Sequence, residues 1–232
     1  MSNIILILGG GPNVGLNVAR VFSTKGSYKT VSVSRTPKGE LTKATDLSIQ
    51  ADFNDPNSIK TIFDEVKQKF GVPNVVVYNA YSYTPCANPL AIPVEQFNKD
   101  LNVVVTSAYA AAYEAVEGFK TLPEGITKTF IYNGNITNRR PMPGMLAIGM
   151  GKSAVAHLIH AASELYKKDG YRFYWADERT PEGGMIGYEI NGEAHGDFFY
   201  ELATSEKPLP WDATFVAGKG YVDFHGYFCW KA

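Results

Sequence analysis

The sequence predicts an α/β fold, a single doubly wound parallel sheet with helices on both faces, and two observations carry that reading. Short β-branched or aromatic runs recur at Ile4 to Leu8, Thr30 to Val33, Val75 to Tyr78, Thr129 to Tyr132, Tyr171 to Trp175 and Thr214 to Ala217. Such uniformly apolar strands are buried on both faces. The segments between them carry apolar residues at helical spacing, the alternation expected of parallel strands joined by helical crossovers. At 232 residues and 45% hydrophobic content the chain is long enough for one well-buried domain and short for two. The whole of 1–232 is therefore read as one domain.

Each element follows in turn. The first strand runs into "GGGPNVGLNVARVF", a glycine-rich turn and a helix that places Val14, Val18, Val21 and Phe22 on one side. In "NDPNSIKTIFDEVKQKFG" Asp55 can cap, Pro56 suits the first helical position, and Ile59, Ile62, Phe63, Val66 and Phe70 form a stripe that Gly71 ends. From Val94 to Gly118 the residues Phe97, Leu101, Val104, Ala108, Ala112 and Val116 keep helical spacing, and Gly149 to Lys168 is a second long helix. Residues 177–210, dense in Gly, Pro and acids, predict a long substrate-loop insertion before the last strand, with one short helix at Gly196 to Thr204. It would lie near the carboxyl ends of the strands, where open α/β sheets bind ligands.

Composition narrows the partners. The 22 basic and 23 acidic residues are interspersed for a net charge of −1, so no basic footprint favours nucleic acid or an anionic membrane. A small-molecule substrate is expected instead. The apolar run Ile4 to Leu8 is too short for a signal sequence or a span, which predicts a cytoplasmic protein. Cys86 and Cys229 lie far apart with no CxxC or Cys/His spacing, against a disulfide framework or zinc site. Asn135-Ile136-Thr137 matches a glycosylation acceptor by accident in such a chain. His157, His160 and Glu164 have a spacing that could face a metal, but packing at a helix interface explains it as well, and no metal is expected.

The glycine-rich turn directly after the first strand is where chemistry enters. Glycines let the backbone approach a pyrophosphate, which then rests on the unpaired N–H groups at the helix start. On these residues the chain resembles the short-chain dehydrogenase/reductases over essentially its whole length. Their TGxxxGxG loop matches Gly10 to Asn17, with Gly10 for the threonine, Gly11 and Gly15 retained, and Asn17 for the last glycine. "ADFND" resembles the segment beside the adenine, and "VVVYNAYS" the NNAG stretch, with Tyr81 for its glycine. The resemblance implies a Rossmann-like fold, a homodimer or homotetramer, and a nicotinamide cofactor held by Gly9, Gly11, Asn13, Val14, Gly15, Asp52, Phe53, Asn79, Ala80 and Lys152. At the end of the second strand an NAD site calls for a carboxylate and a 2′-phosphate for a cation. This chain has Ser34, Arg35 and Lys38, so NADP(H) is expected, with Arg35 on the phosphate.

In that family an Asn, a Ser, a Tyr and a Lys act together on the substrate. Asn102 and Lys152 match the first and last. Four residues before Lys152 stands Ile148, and the serine position falls on Asn135. Isoleucine cannot exchange a proton at any pH. No register shift repairs this, because no tyrosine lies between Asn133 and Tyr166. Tyr81 first and Tyr83 second are the phenols that could replace the donor; Asn135 can hydrogen-bond an oxyanion, Arg139 and Arg140 could hold a carboxylate or enolate, and His195 could touch substrate.

Three functions fit this pattern: an oxidoreductase on a small carbonyl or alcohol with a non-standard proton donor, a cofactor-binding protein without turnover, and a non-redox catalyst. A site lined by Tyr81, Tyr83 and Asn135 favours the first. One plugged by Ile148 and Met150 favours the second.

Overall fold

The computed structural model describes residues 3–88, 90–142 and 144–224; Cys229 lies outside them. Eight strands form one sheet in the order β3-β2-β1-β4-β5-β6-β7-β8. β1 (Ile4–Leu8), β2 (Lys29–Ser34), β3 (Leu47–Gln50), β4 (Val75–Tyr78), β5 (Lys128–Asn133), β6 (Tyr171–Glu178) and β7 (Asp212–Val216) are parallel, and β8 (Gly220–Tyr221) returns antiparallel on β7. The strand order reverses between β1 and β4, which opens a crevice at their carboxyl ends.

Alternation along each strand feeds two cores. One face packs against α3 (Ser58–Lys69), α5 (Ser107–Phe119) and α6 (Leu146–Leu165); the other packs against α1 (Val14–Gly26) and α7 (Gly192–Thr204). A short α2 (Glu40–Ala44) precedes the edge strand β3, and α4 (Val94–Leu101) leads into α5. Among the described residues no helix is long and apolar enough to cross a membrane.

The departures from the sequence pattern have local causes. α3 starts at Ser58, because the Asp55 carboxylate accepts the Asn57 backbone N–H at 3.0 Å and closes a turn ahead of the helix. α6 starts three residues before Gly149. The segment from 177 is not one long loop: β6 continues through Asp177 and Glu178, and α7 is a full helix packed along α1, leaving a connection over 179–191.

The run from 94 to 119 stays helical but widens into one π turn over Asn102–Thr106. Tyr78 and Tyr132 donate their buried hydroxyls to the Val103 and Val104 carbonyls at 2.5 and 3.2 Å. Ser107 and Asn102 donate to the Phe53 and Asn54 carbonyls. The extra residue per turn frees carbonyls for side chains of the sheet, as such turns do where a helix borders a site.

Candidate active site

The crevice is built on the turn after β1. Gly9 has φ +103°, and a Cβ there would stand 2.3 Å from the Ala80 nitrogen, so the turns after β1 and β4 touch backbone to backbone only because residue 9 has no side chain. The Asn79 amide donates to the Gly9 carbonyl at 2.8 Å, Asn133 donates to the Asn79 amide oxygen at 2.7 Å, and the Lys152 ammonium donates to the Asn133 carbonyl at 2.6 Å. A continuous polar floor thus runs from α6 across the ends of β5, β4 and β1 to the glycine turn.

The wall above it is the start of α1. No side chain caps that helix and no acid lies in its first turn, so its leading N–H groups and positive dipole end are left for an anion. A Cβ on Gly11 would meet nothing within 4 Å. The Asn54 and Asn133 amide oxygens are buried without partners among the described residues. Arg35 is exposed at the end of β2. This geometry fits a dinucleotide whose pyrophosphate lies on Gly11, Asn13, Val14 and Gly15. Phe53 packs its side chain against Tyr78, with ring centroids 6.0 Å apart, which leaves only its backbone for a ligand. Asp52 is exposed, its carboxylate accepting the Asn54 N–H.

The missing third glycine has a physical answer. Asn17 faces α7, where a Cβ on Gly192 would come within 2.6 Å of the Asn17 amide nitrogen and one on Gly196 within 2.9 Å of its carbonyl. The room that the motif's last glycine would supply is provided by two glycines on the neighbouring helix. Asn13 also donates to the Ile190 carbonyl at 2.9 Å, which clasps the glycine turn to the segment ahead of α7.

The side chains proposed for catalysis divide. Lys152 is 4% exposed, lies over the faces of Tyr132 and Trp175 at 4.4 and 5.6 Å, and loses charge stabilisation on burial, which lowers its pKa to about 7 despite the nearby Asp177 carboxylate. Ile148 is buried one turn before it. The Asn135 amide oxygen is occupied by the Thr137 N–H and hydroxyl, so only its NH₂ is left to donate. Tyr81 and Tyr83 are 66% and 37% exposed on the segment after β4, which Asp100 anchors through Ser82 and the Thr84 N–H. Met150 is half exposed.

Two expectations are corrected. Arg139 is not left to hold a substrate carboxylate or enolate, because it ion-pairs with the buried Asp212. His195 is not at the surface or in a substrate contact: it is 3% exposed, edge-on to Phe199 and Phe215, 2.8 Å from the Asn191 carbonyl and 3.4 Å from Glu178, and burial lowers its pKa to about 4. It is a neutral core histidine that holds the start of α7. His160 stacks on Trp211 with ring centroids 4.4 Å apart.

Sequence reasoning also missed a buried charge lattice at the ends of β6 and β7. Asp177 and Arg179 pair at 2.5 Å with both side chains inaccessible, and Arg179 donates to the Gly183 carbonyl. Glu178, on the opposite face of β6, accepts the Asn191 N–H at 3.0 Å. The run Asp177-Glu178-Arg179 reads as loop until the partners are known. Its period-two alternation, acid and base on one face with an acid on the other, was the available signal.

Comparison with known proteins agrees with this architecture. A family model described as enoyl-(acyl carrier protein) reductase matches residues 13–175. The short chain dehydrogenase/reductase dmxR12 of Cryptosporiopsis sp. (strain 8999) is 42% identical over 236 residues, covering 96% of this chain and 95% of that protein. Among solved structures, a 3-ketoacyl-(acyl-carrier-protein) reductase from Brucella melitensis complexed with NADH superposes with TM-score 0.80 at 20% identity, covering 92% of this chain and 96% of that one. A metagenomic short-chain oxidoreductase in complex with NADP gives 0.81 at 15% identity, covering 92% and 96%. With the sheet order, the glycine turn and the lysine of α6 all in place, the chain belongs to the short-chain dehydrogenase/reductase family.

Proposed function

We propose that the protein is an NADP(H)-dependent oxidoreductase acting on a small carbonyl or alcohol, with proton transfer by a group other than residue 148. The observation that carries this is the unbroken floor Lys152–Asn133–Asn79–Gly9 beneath an uncapped helix start. It preserves the cofactor seat while the acid position is apolar. A bound reduced nicotinamide supplies the hydride. Gly11, Asn13, Val14 and Gly15 hold the pyrophosphate, Arg35 the 2′-phosphate, and Asp52, the Phe53 backbone, Asn79 and Ala80 border the remaining cofactor. The Asn135 NH₂ steadies the substrate oxygen, and Tyr81 and Tyr83 on the rim meet the substrate. Asn102 acts indirectly, by holding the π turn against the Asn54 carbonyl.

NADPH is expected to bind more tightly than NADH, since an arginine–phosphate contact contributes about 1.5–3 kcal/mol, roughly ten- to a hundredfold in affinity. Fluorescence titration of wild type and Arg35→Ala measures it; equal affinities that the substitution leaves unchanged reject the NADP(H) assignment. A panel of carbonyl substrates followed by loss of NADPH absorbance tests turnover. Tight NADPH binding with no turnover across a broad panel would favour a cofactor-binding protein.

The protein is also proposed to form a homodimer or homotetramer through α5 and α6. Of the alanines there, Ala108, Ala111, Ala112, Ala156 and Ala162 pack into the protomer's own core. What supports the interface is a different set: Tyr109 and Tyr113 on α5, and Met150, Ala154, Ala161 and Leu165 at helical spacing on α6, all exposed. Light scattering at micromolar concentration should give two or four copies for wild type and one for Tyr113→Glu/Leu165→Glu. A monomeric wild type ends the proposal.

A further inference from the structure

With residue 148 unable to exchange a proton, the groups around the crevice can be compared for what each is able to donate. The Tyr78 and Tyr132 hydroxyls are buried, committed to the Val103 and Val104 carbonyls, and pushed to higher pKa by desolvation. The Asn135 and Asn102 amides donate hydrogen bonds but do not ionise in the accessible range. Tyr81 and Tyr83 stand in solvent on the rim. Lys152 differs from all of these. Its ammonium carries three N–H bonds, and its hydrogen-bond acceptor among the described residues is the Asn133 carbonyl. The Asn133 side chain is part of the crevice floor. The aromatic faces of Tyr132 and Trp175 confine the ammonium without accepting its proton.

We propose that Lys152 is itself the proton donor of this site, held for that purpose by the Asn133 carbonyl and the faces of Tyr132 and Trp175. The inference rests on the carbonyl-reduction reading above. A bound reduced nicotinamide would supply a hydride to the carbonyl carbon, which would move the π electron pair onto oxygen. One Lys152 N–H bond then breaks, the proton bonds to that oxygen, and the nitrogen keeps the electron pair as a neutral amine, to be reprotonated from water. The alcohol and the oxidised cofactor leave. In the reverse direction the neutral amine takes the alcohol proton.

The surroundings make the amine and ammonium forms close in free energy. Asp177 on β6 is the carboxylate that acts on Lys152, the faces of Tyr132 on β5 and Trp175 on β6 enclose it, and Arg179, just beyond β6, and Arg139, in the turn after β5, act on Asp177 in turn. Arg139 is paired with Asp212 and Arg179 with Asp177. The Asp177 charge favours the ammonium, and burial, which is the larger effect, favours the amine. A lysine so desolvated titrates near neutrality, where a general acid is most effective.

The test has a cofactor-free arm. In the apo protein labelled with ¹³C at lysine Cε, the Lys152 resonance, assigned by its loss in Lys152→Arg, is expected to titrate near pH 7. A midpoint above about 9 overturns the proposal whatever the substrate panel gives. In the kinetic arm, Lys152→Arg keeps a positive charge but cannot release a proton. It should hold NADPH within about tenfold of wild type while kcat for carbonyl reduction falls ~10²–10⁴-fold. Wild-type kcat should decline as pH rises through the lysine midpoint, and that limb should vanish in Lys152→Arg and persist in Tyr81→Phe and Tyr83→Phe. A limb lost with either phenol, or kcat retained in Lys152→Arg, overturns the proposal. Failure of NADPH to bind wild type would instead reject the cofactor reading, a result that is separate from the apo titration.

Discussion

A valine at position 9 is expected to lower stability by roughly 2–5 kcal/mol and to abolish measurable NADPH binding. Two costs add. A side chain at φ +103° is strained by ~1–2 kcal/mol. Its Cβ would also stand 2.3 Å from one backbone atom and 2.6 Å from another in the turn after β4, where no rotamer change can relieve the clash, and overpacking of that kind costs ~1–3 kcal/mol. For a chain of this size each kcal/mol shifts Tm by about 2–4 °C, so a thermal scan resolves the change. Gly11→Ala is the informative partner, because a Cβ there meets nothing. It should melt like wild type yet bind NADPH weakly, since the methyl group occupies the space reserved for the pyrophosphate. If both variants melt like wild type, the contact between the two turns is not what the structure describes.

The second large effect is expected from Asp177→Asn. This substitution keeps the shape of the side chain and removes a charge that lies among Arg179, Lys152 and Arg139, all three within its electrostatic reach. Breaking a buried ion pair from one side costs about 3–5 kcal/mol, because the remaining charge keeps its desolvation penalty after losing its compensation. Chemical denaturation measures this directly. Replacing both partners, Asp177→Leu with Arg179→Met, should recover much of the loss, since two apolar groups carry no penalty of that kind. A loss below ~1 kcal/mol in the single variant would mean that water reaches the pair.

Much of the fold was legible because burial on both faces writes itself into sequence as uninterrupted apolar runs. Ile4–Leu8 and Val75–Tyr78 were read to the residue. β3 was missed because an edge strand with half-buried Leu47 and Ser48 lacks that signature. The end of β6 was missed for a different reason. Asp177 and Arg179 are tolerated inside the protein with the help of Arg139, Lys152 and Asp212, which lie 25–40 residues away along the chain, so the local alternation hints at a strand but does not name the partners that compensate its charges. His195 belongs to the same class, since it was read as a substrate contact, whereas Phe199, Phe215 and Glu178 enclose it. In the candidate site, the glycine turn and the lysine were visible as motifs. The hydrogen-bonded floor that joins them was not, because it links residues 9, 79, 133 and 152 through geometry alone.

The close contact between Asn17 and the glycines of α7 changes what counts as the transferable unit in this protein. A segment cut as Gly9–Asn17 and grafted into another scaffold would arrive with an asparagine where its new host leaves room for none. A host loop with a glycine at that place, grafted here, would leave a gap between α1 and α7. The two stretches, one at the beginning of the chain and the other about 175 residues later, act as halves of a single piece, so a chimera that takes them from different parents is expected to lose this fit.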